Sequence, residues 1–344
     1  MTKVVKFDRA ALNQDLSRCK GLLKDLNFVD LYIRIDQDGE HRININSKKS
    51  GKLENRAIPS CHQGEVQILR KALTDMPKDD MSLLFEGMRL RVARRVMANG
   101  DIWVAIRRLA NNKLTMEGLR FYEPLIPHFS DLGARDGLIL ISGATGHGKT
   151  TTANCLLSHF LDRFGQVAYT VEDPAEYALH GKHGDHGYCF QTEVDDDDGW
   201  ADALKSALRW HPKYILVGEI RSPDAAAQVL RAATSGHLVL TTVHAGSIEK
   251  TLHGMIQIAE ASVGNRAAQL LGDGLACVIH QTLTAAGPQM NTLFTNPDSN
   301  DGARAQIREN KLHMLSTMIE QQSARLHQNM PLFDNQRGSS RVRA

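Results

Sequence analysis

The sequence predicts an α/β fold: a parallel sheet with helices on both faces, preceded by a smaller α+β domain. Three observations carry that expectation. From Gly137 onward, short apolar runs alternate with helix-patterned segments, as strand–helix–strand units require. One of those runs leads directly into a glycine-rich loop at residues 143–150 and then into a helical pattern. Ahead of them, residues 1–110 mix strand-like alternation, turn dipeptides and a helical segment.

In the first domain, residues 31–35 (LYIRI) alternate as a strand, residues 37–40 supply turn chemistry, and residues 41–46 read as the returning strand. Residues 65–73 set Val66, Leu69 and Leu73 on one helical face. Residues 88–96 and 102–108 form a second strand pair across Asn99-Gly100-Asp101. Residues 111–136, with Gly118, Pro124, Pro127 and Gly133, read as a linker containing helical pieces. The second domain covers residues 137–330. Its run 138–142 (LILIS) suits a buried parallel strand. A helix follows from Lys149, then a strand at 166–171, a helix at 200–209 and a strand at 214–217. A helix at 223–234, a strand at 237–243 and a closing helix at 312–326 complete it, and residues 331–344 read as a disordered, mildly basic tail.

The chain has 344 residues, 42% hydrophobic and 23% charged, enough for two soluble cores. A net charge of +2 and the lack of a basic, aromatic-interleaved stretch argue against direct nucleic-acid binding. Five scattered cysteines with no C-x-x-C pair suit free thiols in a reducing cytoplasm. No apolar run reaches the roughly 20 residues of a membrane-spanning helix, so any membrane association runs through partners.

The strongest functional signal is Gly143-Ala144-Thr145-Gly146-His147-Gly148-Lys149-Thr150, a full G-x-x-x-x-G-K-[ST] match, with Thr151 next to it. Glycines let successive backbone N–H groups turn toward a phosphate chain. The following helix start adds its positive dipole end. Lys149 would reach the β/γ-phosphates of ATP and the Thr150 hydroxyl would bind Mg²⁺. His147 reads as a tolerated variable position. Three further strand ends carry polar groups. Residues 214–217 end in Gly218-Glu219, whose carboxylate could orient a water or help hold Mg²⁺. Residues 169–171 end in Glu172-Asp173-Pro174-Ala175-Glu176, three carboxylates suited to metal or water chemistry. The strand at 237–243 is bracketed by His237 and His244. The spacing His180-x-x-His183-x-x-His186-x-x-Cys189 looks ligand-like, but its regular glycines and lack of two separated close pairs argue against structural zinc.

In this order, the segments resemble the secretion ATPases that include PilT-type pilus retraction motors and DotB/TraJ-type motors. The family's aspartate box is similar to residues 170–176, its L-R-x-x-P-D…G-E-x-R-D segment to residues 208–222, and its histidine box to Gly236-His237 through His244-Ala245. Asp30-Leu31-Tyr32-Ile33 and residues 276–281 (ACVIHQ) extend the resemblance toward both ends. Lys213 and Ser222 stand where the family has aspartates, and the usual Walker B aspartate is absent. The resemblance implies a RecA-like ATPase domain behind a PAS-like N-terminal domain. It also implies a homohexamer working at the inner membrane through other machine components. In such a ring Glu219 carries the water-orienting role, with Glu172, Glu176 and His244 nearby. Asp173 is a second candidate metal ligand, and Arg91 and Arg107 are supplied to a neighbour's nucleotide, with Arg89, Arg94 and Arg95 as neighbours. The ending Ala245-Gly246-Ser247 leans toward conjugation or type IVB secretion rather than pilus retraction. A retraction motor, and an adaptor that binds nucleotide without turnover, are the competing readings.

Overall fold

Strict in–out alternation builds the first part of the chain. On the strand Met88–Val96, the residues Met88, Leu90 and Val92 are buried while Arg91 and Arg95 face solvent. The computed structural model describes residues 21–26, 28–37, 41–46, 53–76, 79–109, 114–194, 199–296 and 301–333. It falls into two units, residues 1–112 with Glu176–Ala178, and residues 113–175 with 179–344.

The first unit holds strands β1 (Phe28–Arg34), β2 (Arg42–Asn46), β3 (Leu53–Ala57), β4 (Asp80–Phe85), β5 (Met88–Val96) and β6 (Ile102–Arg108). They form an antiparallel sheet in the order β3-β2-β1-β6-β5-β4. Helix α1 (Gln63–Thr74) lays Val66, Leu69 and Leu73 on one sheet face, in a core with Leu31, Ile33, Val104 and Ile106. The expected strand at 31–35 begins earlier, at Phe28. Sequence patterning missed β3 and β4, the two edges of the sheet: β3 (LENRA) is mostly polar, and in β4 (DMSLLF) the exposed Leu84 masks a buried alternation of Met81, Leu83 and Phe85. The turn expected at 37–40 lies largely outside the described residues, as do residues 334–344 of the expected tail.

The second unit holds strands β7 (Gly137–Ser142), β8 (Gln166–Glu172), β9 (Gly181–His183), β10 (Gly187–Glu193), β11 (Tyr214–Glu219), β12 (Leu238–Val243), β13 (Leu275–Thr284) and β14 (Gly287–Phe294). Their order is β14-β13-β7-β12-β11-β8-β10-β9. The expectation of a parallel sheet needs correction, because the sheet is mixed. The six inner strands are parallel, while β9 and β14 pair antiparallel at the edges. Short turns cause this: Gly184-Asp185-His186 and Ala285-Ala286 are too brief for a crossover, so each edge strand must double back.

Helices cover both faces. On one side lie α4 (Gly199–Leu208), α5 (Pro223–Ala233), α6 (Ile248–Val263) and α7 (Ala267–Gly274), through Leu204, Val229, Leu252 and Leu271. On the other lie α2 (Ile126–Leu132) and α3 (Lys149–Phe164), through Phe129, Leu156 and Phe160. Helix α8 (Gly302–Arg308) packs on α7. The helix expected at 312–326 divides into a 3₁₀ turn, Leu312–Met314, and α9 (Leu315–His327). Gln322 of α9 covers the β14 edge: its amide both donates to and accepts from the Phe294 backbone, each at 2.8 Å. Cys155, Cys189 and Cys277 are buried free thiols, and burial pushes Cys155 up to about 12. No described helix is long and apolar enough to cross a membrane.

One buried charge strains the first unit. Glu65 on α1 is fully buried; its Oε2 accepts from the Leu23 N–H, and among the described residues no donor reaches Oε1. Burial raises its carboxyl above the ordinary value. The folded state therefore binds the proton more tightly than the unfolded chain, and stability falls as pH rises from the ordinary carboxylate value through the raised one. Glu65→Gln keeps an acceptor for Leu23 and removes the charge. Its thermal midpoint should decline less than the parent's across that window; parallel curves would show that Glu65 does not titrate there.

Candidate functional site

All the inner strands of the second unit run the same way, so the carboxyl ends of β7, β8, β11 and β12 open onto one edge, the usual ligand-binding end of such a sheet. All six residues of β7 are buried, and the loop 143–148 leaves its end and enters α3. Gly143, Gly146 and Gly148 take φ values of 150°, 80° and 76°, a region that favours glycine. Gly148 is the N-cap of α3 and, being glycine, supplies no capping side chain of its own. A helix start directs backbone N–H groups and its positive dipole end outward, the features by which such a terminus recognises phosphate. Lys149 is 6% exposed and its Nζ donates to the carbonyls of Gly143 and Ala144, both at 3.0 Å. The lysine is folded back across its own loop, where a phosphate would offer it stronger acceptors.

A chain of charged groups leads away from that lysine. Lys149 Nζ lies 3.3 Å from His244 Nδ1, just past the end of β12. A lysine can only donate, so Nδ1 accepts and the imidazole proton sits on Nε2. That Nε2 is 3.7 Å from Glu219 Oε2 at the end of β11. Glu219 in turn accepts from Arg221 Nε, and Arg221 reaches Asp173 at 2.8 Å. Burial works against the Arg221 charge, but Glu219 and Asp173 outweigh it and raise its pKa.

The structure thus brings the loop, Lys149, His244, Glu219 and Asp173 together. Glu172 is 2% exposed at the end of β8, where its Oε1 accepts from Thr170 Oγ1 at 2.8 Å and Gln191 Nε2 at 2.7 Å. Glu176 is exposed and groups with the first unit instead. Thr150 lies in the first turn of α3 and Thr151 follows it. His237, at the opposite end of β12, is a structural residue: its Nδ1 lies 2.6 Å from the Pro212 carbonyl. His183 likewise meets the Leu179 carbonyl at 2.7 Å, and His180 stacks edge-on against Tyr188.

Sequence reasoning overlooked two groups in this neighbourhood. Arg221 stands only two residues after Glu219, close enough that a strand-end turn folds it back. Gln191 sits on β10, a strand whose mixed polar sequence gave no apolar run to find it by.

In the first unit, Arg91 and Arg107 are directly opposite on β5 and β6, and both are exposed. Arg107 donates to Asp30 Oδ1 at 2.8 Å, a contact that raises its pKa. Arg94 pairs with Asp79 at 2.8 Å and Arg95 with Asp80 at 2.7 Å. Arg108 faces the other way, donating to the Leu26 carbonyl at 2.8 Å over the Phe28 ring.

A model of the family described as type II/IV secretion system protein matches residues 75–330, across the loop and all four strand ends. The chain belongs to that family. It is 33% identical to the type IV pilus retractation ATPase PilT of Pseudomonas aeruginosa over 62% of this chain and 61% of that protein. The chain therefore spans less than two thirds of that curated relative's length. Among solved structures, the pilus retraction motor PilT with bound ADP matches with a TM-score of 0.67 at 26% identity, covering 86% of this chain and 87% of that one. The Legionella pneumophila ATPase DotB matches with a TM-score of 0.66 at 18% identity, covering 94% and 93%, a likeness of fold alone.

For a secretion-family chain the cradle's backbone is a sharp constraint. A Cβ on Gly143 would overlap the Gln281 carbonyl oxygen, and φ there is unfavourable for any L side chain. Gly143→Ala should destabilise the protein by on the order of 1–3 kcal/mol in urea denaturation. An unchanged midpoint and slope would show that the loop relaxes without cost.

Proposed function

We propose that this chain is an ATP-hydrolysing motor subunit of a bacterial type IV secretion, conjugative transfer or type IV pilus machine. The observation that carries this reading is the line Lys149–His244–Glu219, set at adjacent parallel strand ends beside a glycine-shaped helix start. Family membership and the likeness to a PilT structure with bound ADP support it. On this reading the second unit is a RecA-like ATPase domain, the first a PAS-like domain joined to it through residues 111–136, and residues 331–344 a tail. The motor works as a homohexamer in the cytoplasm, peripheral to the inner membrane through machine components.

Each residue then has a task. The N–H groups of residues 143–151 cradle the phosphates, and Lys149 leaves the Gly143 and Ala144 carbonyls for the β/γ-phosphates. The hydroxyl of Thr150 would hold Mg²⁺, which supplies charge neutralisation when bound. Asp173 is already paired with Arg221, so Thr150 is the better-placed ligand. Glu219 orients the attacking water. His244 joins it to the cradle lysine and reports whether that lysine has moved. Glu172, held by Thr170 and Gln191, stays fixed at the next strand end, and Glu176 is the alternative acid.

Lys149→Ala should abolish both binding and turnover. Glu219→Gln should bind ATP nearly normally but hydrolyse it at least 100-fold more slowly, as loss of a water-orienting group implies. Phosphate release at the parent rate from Glu219→Gln would transfer that role to Glu172 or Glu176.

Arg91 and Arg107 supply the remaining cation, in trans. They stand directly opposite each other on paired strands; Arg107 is held by Asp30, and Arg91 beside it is exposed. A trans arginine in P-loop enzymes is worth about 10³–10⁵ in rate. Rings of Arg91→Ala alone, or of Lys149→Ala alone, should be nearly inactive, and mixing the two should restore part of the activity. Mixed rings as dead as either parent would remove Arg91 from the reaction.

A further inference from the structure

We propose that Gln281 is a positioning residue for the phosphate cradle, holding the peptide between His147 and Gly148 in its binding orientation; this rests on the nucleotide reading above. Gln281 lies on β13, which pairs with β7 on the side away from β12. The register sets His280 opposite Ser142, so Gln281 stands level with Gly143, the first residue of the loop. It is 2% exposed, and every polar end of it is engaged. Its Nε2 donates to the His147 carbonyl at 2.6 Å, while its Oε1 accepts from the Thr152 hydroxyl at 2.7 Å. Its backbone carbonyl lies 3.3 Å from His147 Nδ1 and against the bare Cα of Gly143. One side chain, more than 125 positions away in sequence, therefore ties the loop to the second turn of α3.

The consequence follows from amide geometry. The Thr152 hydroxyl donates to one end of the Gln281 amide, which leaves its NH₂ end facing the loop. That NH₂ draws the His147 carbonyl toward β13. In a planar trans peptide the next N–H points opposite to the carbonyl, so the Gly148 N–H is turned away from β13. A loop of glycines has little conformational preference of its own, and Gly148 is left-handed at φ 76°. The anchor supplies the preference that the glycines lack. It also makes room for itself: a Cβ on Gly148 would come within 3.2 Å of Gln281 Nε2. A plain packing role for Gln281 would predict lost stability with unchanged nucleotide affinity, whereas a positioning role predicts the reverse.

The test uses the full chain and a fluorescent ADP analogue, with thermal melts of the nucleotide-free protein alongside. Parent protein should bind, and Lys149→Ala should not. Gln281→Met, of similar volume but without hydrogen bonds, should weaken binding about tenfold. It should raise KM for ATP with kcat nearly kept, as loss of uniform binding implies. Thr152→Val, which frees the amide to rotate, should weaken binding by less. The double variant should bind no more weakly than Gln281→Met, because both act through one amide. Parent-like affinity in Gln281→Met, with Lys149→Ala still defective, overturns this inference and leaves the nucleotide reading standing. Additive losses in the double variant also overturn it. If Gln281→Met does not fold, parent-like binding by Thr152→Val overturns it alone. A parent that binds no nucleotide removes both readings together.

Discussion

Everything at the site hangs on β7, six buried residues hydrogen-bonded to a parallel strand on each side. A strand paired on both sides cannot slip without breaking two ladders of backbone hydrogen bonds at once, so its end is fixed in space. That fixed end is where the chain can place a loop that has almost no rigidity of its own. The neighbours β12, β11 and β8 end beside it in the same direction, which is why single residues far apart in sequence become adjacent. Parallel pairing thus converts strand order into site geometry. The antiparallel edges β9 and β14 add width and close the sheet, without moving the end that matters.

Electrostatics then decides how the buried cation at that end is held. A buried ammonium cannot be left unsolvated, and Lys149 answers this by taking two carbonyls and an imidazole nitrogen. Those acceptors are neutral, and on the nucleotide reading a phosphate would be a stronger one. Glu219, at the other end of the line, is held by an arginine that Asp173 shares. On the nucleotide reading, withdrawing Lys149 from His244 would change what His244 can offer Glu219. The imidazole stands between them, 3.3 Å from the ammonium and 3.7 Å from the carboxylate.

The sequence made the inner strands and the cradle legible because both depend on local chemistry. Apolar runs and G-x-x-x-x-G-K-T are read within eight residues. Polar strands were harder. The edge strand β3 (LENRA) and the inner strand β10 (GYCFQTE) carry polar residues and show no run of their own. The site's carboxylates were visible at strand ends, but their partners were not. Arg221 bridges two acids only because the turn after β11 folds it back, and Gln281 reaches the loop only because β13 inserts beside β7. Spacing along the chain carries no information about such contacts.

The two positions where the chain departs from the family's aspartates make the same point from the opposite side. A family aspartate at the start of α5 would cap that helix, and Ser222 still does, its hydroxyl accepting from the Ala225 N–H at 3.3 Å. Serine and aspartate are nearly equivalent at such a position, because what the helix needs is one acceptor and not a charge. Lys213 instead reverses a charge, and the reversal is absorbed locally: its ammonium pairs with Asp136, just before β7. Both substitutions therefore fall where the requirement is a contact that another residue type can meet. On the proposed reading Lys149, His244 and Glu219 would have no such freedom, since a donor, an imidazole and an acid meet there in that order.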